Sequence, residues 1–348
     1  MKEKIYYIRV KDTNEKHAGN KAVSDCNEIL KRTGGQPIYI SSVQNKNKWI
    51  SKGRKFIQYL NLFKIQKGSI VYIQHPMYIN PRYMKWIAAV KKIKKIKVIF
   101  IIHDLESLRK LFVNETEKYE YLDNMMIKLG DAYIAHNACM IKYMTERWGV
   151  SPEKIINLQI FDYLLKKNAE KKMDENYING IIVAGNLSRE KSGYIYNLDV
   201  NDIPLIVYGN GLDQNERKSN FIYKGSFTPE ELPYYLEGKF GLVWDGPNIK
   251  TCDGTVGNYL RYNNPHKVSL YLSAGIPVII WNQAALADFV KRNKVGIVVD
   301  SLENIENYIK NIDENKYNEM KENALKISGK LRSGFYLNKA IQEANTVV

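Results

Sequence analysis

The chain has 348 residues, 45% of them hydrophobic, and 52 basic against 37 acidic side chains give a formal charge of +15. That length suits two α/β domains with separate cores, and the longest apolar runs, 98–102 and 277–281, are strand-sized, so no bilayer span is expected. Cys26, Cys139 and Cys252 lack zinc or redox spacing, and the positive charge favours anionic partners, although no zinc-finger or RNA-recognition signature supports nucleic acid.

The start of the chain, Met1-Lys2-Glu3-Lys4 followed by the apolar stretch 5–10, is too short and interrupted for a signal peptide. A cytoplasmic protein is expected. In the first half, β-branched or aromatic runs at 4–10, 37–40, 69–74, 97–102 and 132–135 predict strands. Helical patterns at 21–32, 48–63, 81–95, 116–129 and 139–148 alternate with them. The alternation predicts a doubly wound parallel sheet, in which ligands gather at the C-terminal strand ends.

The polar loop 12–21 after the first strand is neither a Gly-x-Gly-x-x-Gly fingerprint nor a phosphate-binding P-loop, which argues against a nicotinamide enzyme or an NTPase. Gly19 in it would let a ligand approach the backbone, or is a plain turn glycine. Three strands end in histidine, at His75, His103 and His136. Each lines a working cleft, or caps the next element and satisfies a buried carbonyl; no carboxylate spacing supports zinc on all three. Two stretches, 48–56 and 86–97, interleave lysines with aromatic or apolar residues. Their lysines form a solvated outer face, or one that meets anionic lipid headgroups.

Residues 157–169 read as a strand or turn followed by a short polar helix, and the charged stretch 170–179 reads as a linker. Strands then follow at 180–184, 204–208, 221–224, 240–244, 277–280 and 295–299. Helices fit 229–237, 265–274, 284–292, 302–311 and 316–331, and a last one at 334–344 packs back across the first domain. The division expected is 1–165, 178–331 and a C-terminal helix within 332–348.

In the second half, small and polar residues collect at strand ends. Gly185, Asn186, Ser188 and Arg189 follow the first strand; Tyr223 and Gly225 follow the third, leading to Thr228-Pro229-Glu230-Glu231, a capped helix start. Asn263-Asn264-Pro265-His266-Lys267 is turn chemistry opening a helix that Gly275 ends and Pro277 follows. A helix N-terminus attracts phosphate, and Lys267 in its first turn adds a cation. The plainer reading is ordinary helix-to-strand punctuation with a solvated lysine. Arg189 and Lys267 together are what a diphosphate leaving group needs as charge develops on it. No Asp-x-Asp occurs in the chain, so a nucleotide-sugar enzyme on this plan would neutralise its diphosphate with side chains, with no metal and no cofactor.

Gly-Asn-Leu-Ser-Arg at 185–189, Gly-Ser-Phe-Thr-Pro-Glu-Glu-Leu at 225–232 and Pro-His-Lys-Val-Ser-Leu-Tyr-Leu-Ser-Ala-Gly-Ile-Pro-Val-Ile at 265–279 resemble GT-B glycosyltransferases. With Ile160-Phe161-Asp162-Tyr163-Leu164, Gly241-Leu242-Val243-Trp244-Asp245-Gly246, and Ile102-His103-Asp104-Leu105-Glu106-Ser107-Leu108-Arg109, most of the chain is similar to bacterial β-1,6-galactofuranosyltransferases of O-antigen and capsule assembly. It is similar too to the related glucosyltransferases of serine-rich adhesins. The resemblance implies two Rossmann-like domains facing a central cleft. It further implies a UDP-sugar held by the second domain, a lipid-linked or protein-linked glycan acceptor held by the first, and inverting hexosyl transfer. Many GT-B enzymes carry a ribose-binding glutamate where this chain has Leu270, so the ribose contact falls to Ser269, Tyr223 or Asn263. Inversion needs one general base, for which Asp104 is the first candidate and His103 the next, with Glu106 and Asp245 in reserve; Asp104 otherwise caps the following helix. The competing class is a non-catalytic nucleotide-sugar or glycan-binding subunit that stabilises a partner glycosyltransferase. A lipid-binding module is a third reading. A peripheral position at an anionic inner membrane face and a homo-oligomer are both compatible with the sequence.

Overall fold

The inner apolar runs of the first half are buried on both faces, as parallel strands between helices must be, while the edge run 36–41 leaves Gln36 and Tyr39 exposed. They form β1 (Ile5–Lys11), β2 (Gln36–Ser41), β3 (Ile70–His75), β4 (Lys97–Ile102), β5 (Ala132–Ala135) and β6 (Ile155–Asn157). In this computed structural model every neighbouring pair is parallel, in the order β2-β1-β3-β4-β5-β6. The connecting helices are α1 (Gly19–Arg32), α2 (Tyr83–Lys94), α3 (Glu106–Arg109), α4 (Thr116–Leu129) and α5 (Ala138–Trp148). Local chemistry fixes α5 at both ends. The Asn137 side chain accepts the Met140 N–H at 3.1 Å, and Gly149 ends the helix at φ 65°.

The second half repeats the pattern. β7 (Ile181–Ala184) is followed by α6 (Arg189–Ser192) and α7 (Tyr194–Asn197), then by β8 (Leu205–Tyr208), β9 (Phe221–Tyr223), α8 (Leu232–Tyr235) and β10 (Phe240–Val243). After these come α9 (Gly254–Tyr259), α10 (His266–Ser273), β11 (Val278–Trp281), α11 (Ala287–Asn293) and β12 (Gly296–Val299). Helices α12 (Ile305–Lys310), α13 (Glu314–Ser333) and α14 (Phe335–Val347) close the chain. The second sheet is also parallel throughout, in the order β12-β11-β10-β7-β8-β9. Its direction of winding reverses between β7 and β10, and that of the first sheet between β1 and β3, so those are the crevices where an open sheet takes ligands.

The structure describes residues 4–11, 19–41, 59–165, 179–198, 200–216 and 219–348, apart from the side chains of 11, 19, 20, 41 and 214. The polar loop 12–18, the basic stretch 48–56 and the linker at 170–178 lie outside them. Contacts divide the chain into Met1–Leu158 with Leu337–Val348, and Gln159–Tyr336. From Leu337 onward α14 belongs to the first unit, where the Tyr72 hydroxyl donates to Asn345 Oδ1 at 2.6 Å. The buried Leu337, Ala340, Ile341 and Ala344 recur on its inner side.

Candidate active site

At the switch point of the second sheet, the chain leaves β7 through Gly185 and β10 through Trp244 and Asp245, and α10 is packed over both strands. Tyr271 holds it there. Its buried hydroxyl accepts the Ala184 N–H at 2.8 Å, and its ring lies over Gly241, where an added Cβ would come within 2.2 Å of it. On the other side, the Ser269 hydroxyl donates to the Phe161 carbonyl at 2.7 Å, Asn264 reaches the Gln159 carbonyl, and the His266 ring sits 5.2 Å from Tyr163 and 6.0 Å from Phe161. Residues 159–163 are therefore the bracket of this helix start. Pro265 occupies its N-cap and no side chain caps it; the Val268 N–H bonds the Pro265 carbonyl at 3.0 Å, and the positive end of the helix dipole faces the turn that carries Lys267.

Lys267 extends from this turn. Its Nζ lies 2.9 Å from Asp245 Oδ1 and 3.4 Å from the Trp244 carbonyl, and both side chains of the ion pair are about nine-tenths buried. Lys191 stands 3.9 Å from the other oxygen of Asp245. The lysine stem passes over Gly185, where a Cβ would lie 3.4 Å from Lys267 Cε. Gly185 has φ 126°, and Gly209 at φ 134° leaves no room for a Cβ against the Gly185 carbonyl. These two glycines let the chain turns after β7 and β8 nest against each other beneath the lysine.

The remaining expected ligands fall in different places. Asn186 Oδ1 accepts the Ser188 N–H at 2.9 Å and so shapes the turn into α6. Arg189 is 55% exposed at the start of α6, ion-paired with Asp213 at 3.3 Å and with Glu216, and lies over the Tyr196 ring. Among the described residues no hydrogen bond or ion pair joins its side chain to Lys267 or Asp245. The Tyr223 hydroxyl donates to the Gly209 carbonyl at 2.9 Å, and Gly225, at φ 84°, faces open space. Ser269 is fully buried and spent on Phe161. Asn263 Oδ1 is buried with no hydrogen-bond partner among the described residues, which leaves an acceptor beside the α10 entrance. Gly19 opens α1. Lys191 was not singled out by sequence; only its place at the end of the Gly185–Arg189 motif points to it.

In the first unit, chemistry collects where β3 and β4 end. His75 is buried and paired with Asp123 at 2.6 Å, while Asp123 also accepts the Ser107 N–H at 3.0 Å. His136 bonds the Ile102 carbonyl at 2.9 Å. Both serve the scaffold. His103 bonds Gln74 Oε1 at 2.7 Å, and burial, with the nearby His75, lowers its pKa from 6.5 to about 4, so it is neutral at physiological pH. Asp104 accepts from Arg109 at 3.0 Å, and the same guanidinium nitrogen reaches Glu106 Oε1 at 3.1 Å. Glu106 is buried, and burial raises its pKa even though hydrogen bonds from Tyr78 and the charge of Arg109 oppose the rise. The arginine thus clamps a partly buried Asp104 against a fully buried carboxyl group. On α2, Lys91 pairs with Asp131 at 2.7 Å, while Lys92 and Ile93 on the same helix, and Lys95 and Lys97 just after it, are exposed. Among the described residues no helix is long and apolar enough to cross a membrane.

Residues 4–160 match the family described as "Glucosyltransferase 3-like, N-terminal domain", and residues 181–344 match its C-terminal counterpart. The chain is 37% identical over 247 residues to beta-1,6-galactofuranosyltransferase WbbI of Escherichia coli (strain K12), covering 70% of this chain and 69% of that protein. It is 28% identical over 282 residues to Glucosyltransferase 3 of Streptococcus gordonii, covering 80% and 79%. Among solved structures, Anabaena Alr3699/HepE in complex with UDP shares the fold at a TM-score of 0.62 and 12% identity, over 99% of this chain and 100% of that one. Two Rossmann-like parallel-sheet domains are those of the GT-B fold, and the chain belongs to the glucosyltransferase 3-like family of glycosyltransferases.

Proposed function

We propose that this glycosyltransferase moves a hexosyl unit from a UDP-sugar to a sugar hydroxyl of a cell-surface glycan or glycoprotein, without a metal ion and with inversion at the anomeric carbon. The observation that carries the reading is the Lys267–Asp245 pair at the uncapped start of α10, set at the switch point of the second sheet. The names of the relatives include galactofuranosyl and glucosyl transfer, and HepE is known in complex with UDP and with UDP-glucose.

In this scheme the donor diphosphate lies at the α10 N-terminus and takes over the charge of Lys267, which Asp245 holds in place beforehand. Asp245 then keeps Lys191 as its counter-ion. Asp104 removes the proton from the acceptor hydroxyl, the freed oxygen bonds to the anomeric carbon, and the bond to the diphosphate breaks with its electron pair leaving on UDP. Arg109 orients Asp104, and neutral His103 is the second candidate for the proton. Arg189 becomes a phosphate ligand only by exchanging Asp213 and Glu216, so Lys267 carries the main role. Asn263 Oδ1 and the backbone N–H of Gly225, whose carbonyl accepts from Gly209, are further polar groups offered to the nucleoside. Metal independence is supported by the lack of Asp-x-Asp and by the commitment of Asp245 to two lysines.

The test is Asp104→Asn with UDP titration run beside turnover. Loss of about 10²-fold or more in turnover with UDP affinity retained supports the base assignment; near-normal turnover removes it. Turnover that needs an added divalent cation would overturn the metal-free scheme.

A further inference from the structure

Beside Asp104 the first unit carries an aromatic face that neither donor binding nor proton removal uses. Phe112 stacks on Tyr119 with centroids 5.1 Å apart, and Tyr78 meets them edge-on at 6.3 and 6.4 Å. Tyr119 is buried beneath, but Tyr78 is 52% and Phe112 38% exposed. Rings that served the core alone would be covered. Tyr78 is also held in a left-handed backbone conformation, φ 49°, which is costly for a bulky residue and marks a position fixed by its surroundings.

What fixes it is the acid cluster. The Tyr78 hydroxyl donates to Glu106 Oε1 at 2.6 Å, the same oxygen that Arg109 reaches at 3.1 Å while it holds Asp104 at 3.0 Å. The polar tip is anchored at the candidate base and the ring is presented to solvent. Glu106 Oε2 remains buried without a hydrogen-bond partner among the described residues, an acceptor still unspent in the network. An apolar ring face rimmed by a carboxylate and a guanidinium matches a pyranose, whose C–H face is apolar and whose edge is hydroxylated. A lipid or protein surface would match the rings but not the charged rim.

We propose that Tyr78 and Phe112 form an acceptor subsite that stacks a pyranose ring and turns its hydroxyl edge toward Asp104 and Arg109. The subsite rests on the reading of Asp104 as the base for its purpose, but sugar binding to it needs neither donor nor turnover.

The full chain, without UDP, is examined by saturation-transfer NMR with methyl β-D-glucopyranoside, methyl β-D-galactopyranoside and N-acetylglucosamine as probes. Saturation of the ring C–H protons of at least one probe is expected. It is lost in Phe112→Ala and Tyr78→Ala and kept, though weakened, in Tyr78→Phe, which retains the ring. UDP affinity, measured by titration on the same samples, stays at the wild-type value and reports that each variant is folded. Once an acceptor is in hand, the alanine variants raise its KM by about tenfold, the worth of one stacked ring. The proposal is overturned if no probe saturates, if both alanine variants saturate like the wild type, or if the substitutions abolish binding to phosphatidylglycerol vesicles while probe saturation is unchanged. Failure of the donor reading would show differently, as absent UDP binding with ring saturation intact.

Discussion

Lys267→Met removes the ammonium and keeps most of the stem over Gly185, so it isolates the charge. Two effects follow, and the structure gives them different sizes. A charge-assisted hydrogen bond to a diphosphate is worth about 1.5–3 kcal/mol, so UDP affinity should fall roughly 10- to 150-fold. Separately, Asp245 is 8% exposed and loses its partner at 2.9 Å, retaining only Lys191 at 3.9 Å. Stranding a buried carboxylate in this way costs about 3 kcal/mol of folding stability, at the lower end of the range for broken buried pairs because one cation remains. Adding Asp245→Asn separates the two, since the double variant regains most of the stability but none of the UDP affinity. Calorimetric titration with UDP reads the first effect and urea denaturation the second. If the folded single variant binds UDP as tightly as the wild type, the diphosphate does not lie at α10.

Gly241→Ala should destabilise the second unit by about 1–3 kcal/mol or more, because the new methyl would meet the Tyr271 ring at 2.2 Å; urea denaturation measures it, and a neutral result would mean the ring can move aside. His103 supplies a pH dependence. Its folded-state pKa of about 4 lies below the ordinary 6.5, so the unfolded chain binds the extra proton and stability is lost as pH falls through that window. The loss totals about 3 kcal/mol at full effect and should be absent from His103→Gln, which denaturation curves at the two ends of the window will show. Tyr271→Phe leaves the buried Ala184 N–H without its partner at 2.8 Å and should cost about 1–3 kcal/mol, with UDP affinity weakened as α10 shifts; unchanged values for both would remove Tyr271 as the anchor of that helix.

The sheets were legible because their strands are continuous apolar runs. The expected strand at 97–102 and helix at 116–129 coincide with β4 and α4, and the alternation of period-2 and period-3.6 patterns gave both parallel sheets. Short elements were not legible. α6, α7 and α9 are turns of four to six residues fixed by contacts such as Ser192 Oγ to the Asn186 carbonyl, and β6 is three residues that gain strand form only by pairing with β5. The helix expected at 229–237 contracts to Leu232–Tyr235, because the chain turns through Thr228, bonded to Glu231, before Pro233 can start it.

The site was legible where its chemistry is local. Lys267 in the first turn of a helix after Asn-Asn-Pro-His was visible from spacing alone. Its partner was not, since Asp245 lies 22 residues away, just past the end of β10, where the sequence offers it as a reserve base. Partners that a side chain already holds within the fold are not legible in the sequence either. Ser269 offers a hydroxyl on paper, but the bracket at Phe161 uses it, and Arg189 offers a planar fork that Asp213 and Glu216 occupy. The histidines divided by depth: His75 and His136 serve buried partners, and His103 alone stands next to Asp104 on a largely buried rim.

The measurement that bears most directly on the central claim is UDP release from a panel of UDP-hexoses, including UDP-galactofuranose, UDP-galactose and UDP-glucose, by the purified chain alone. The account predicts release from at least one donor, stimulated by a glycan acceptor, insensitive to chelator and abolished by Lys267→Met. Tight UDP binding with no release from any donor would contradict it and identify the chain as a non-catalytic subunit that holds the nucleotide for a partner.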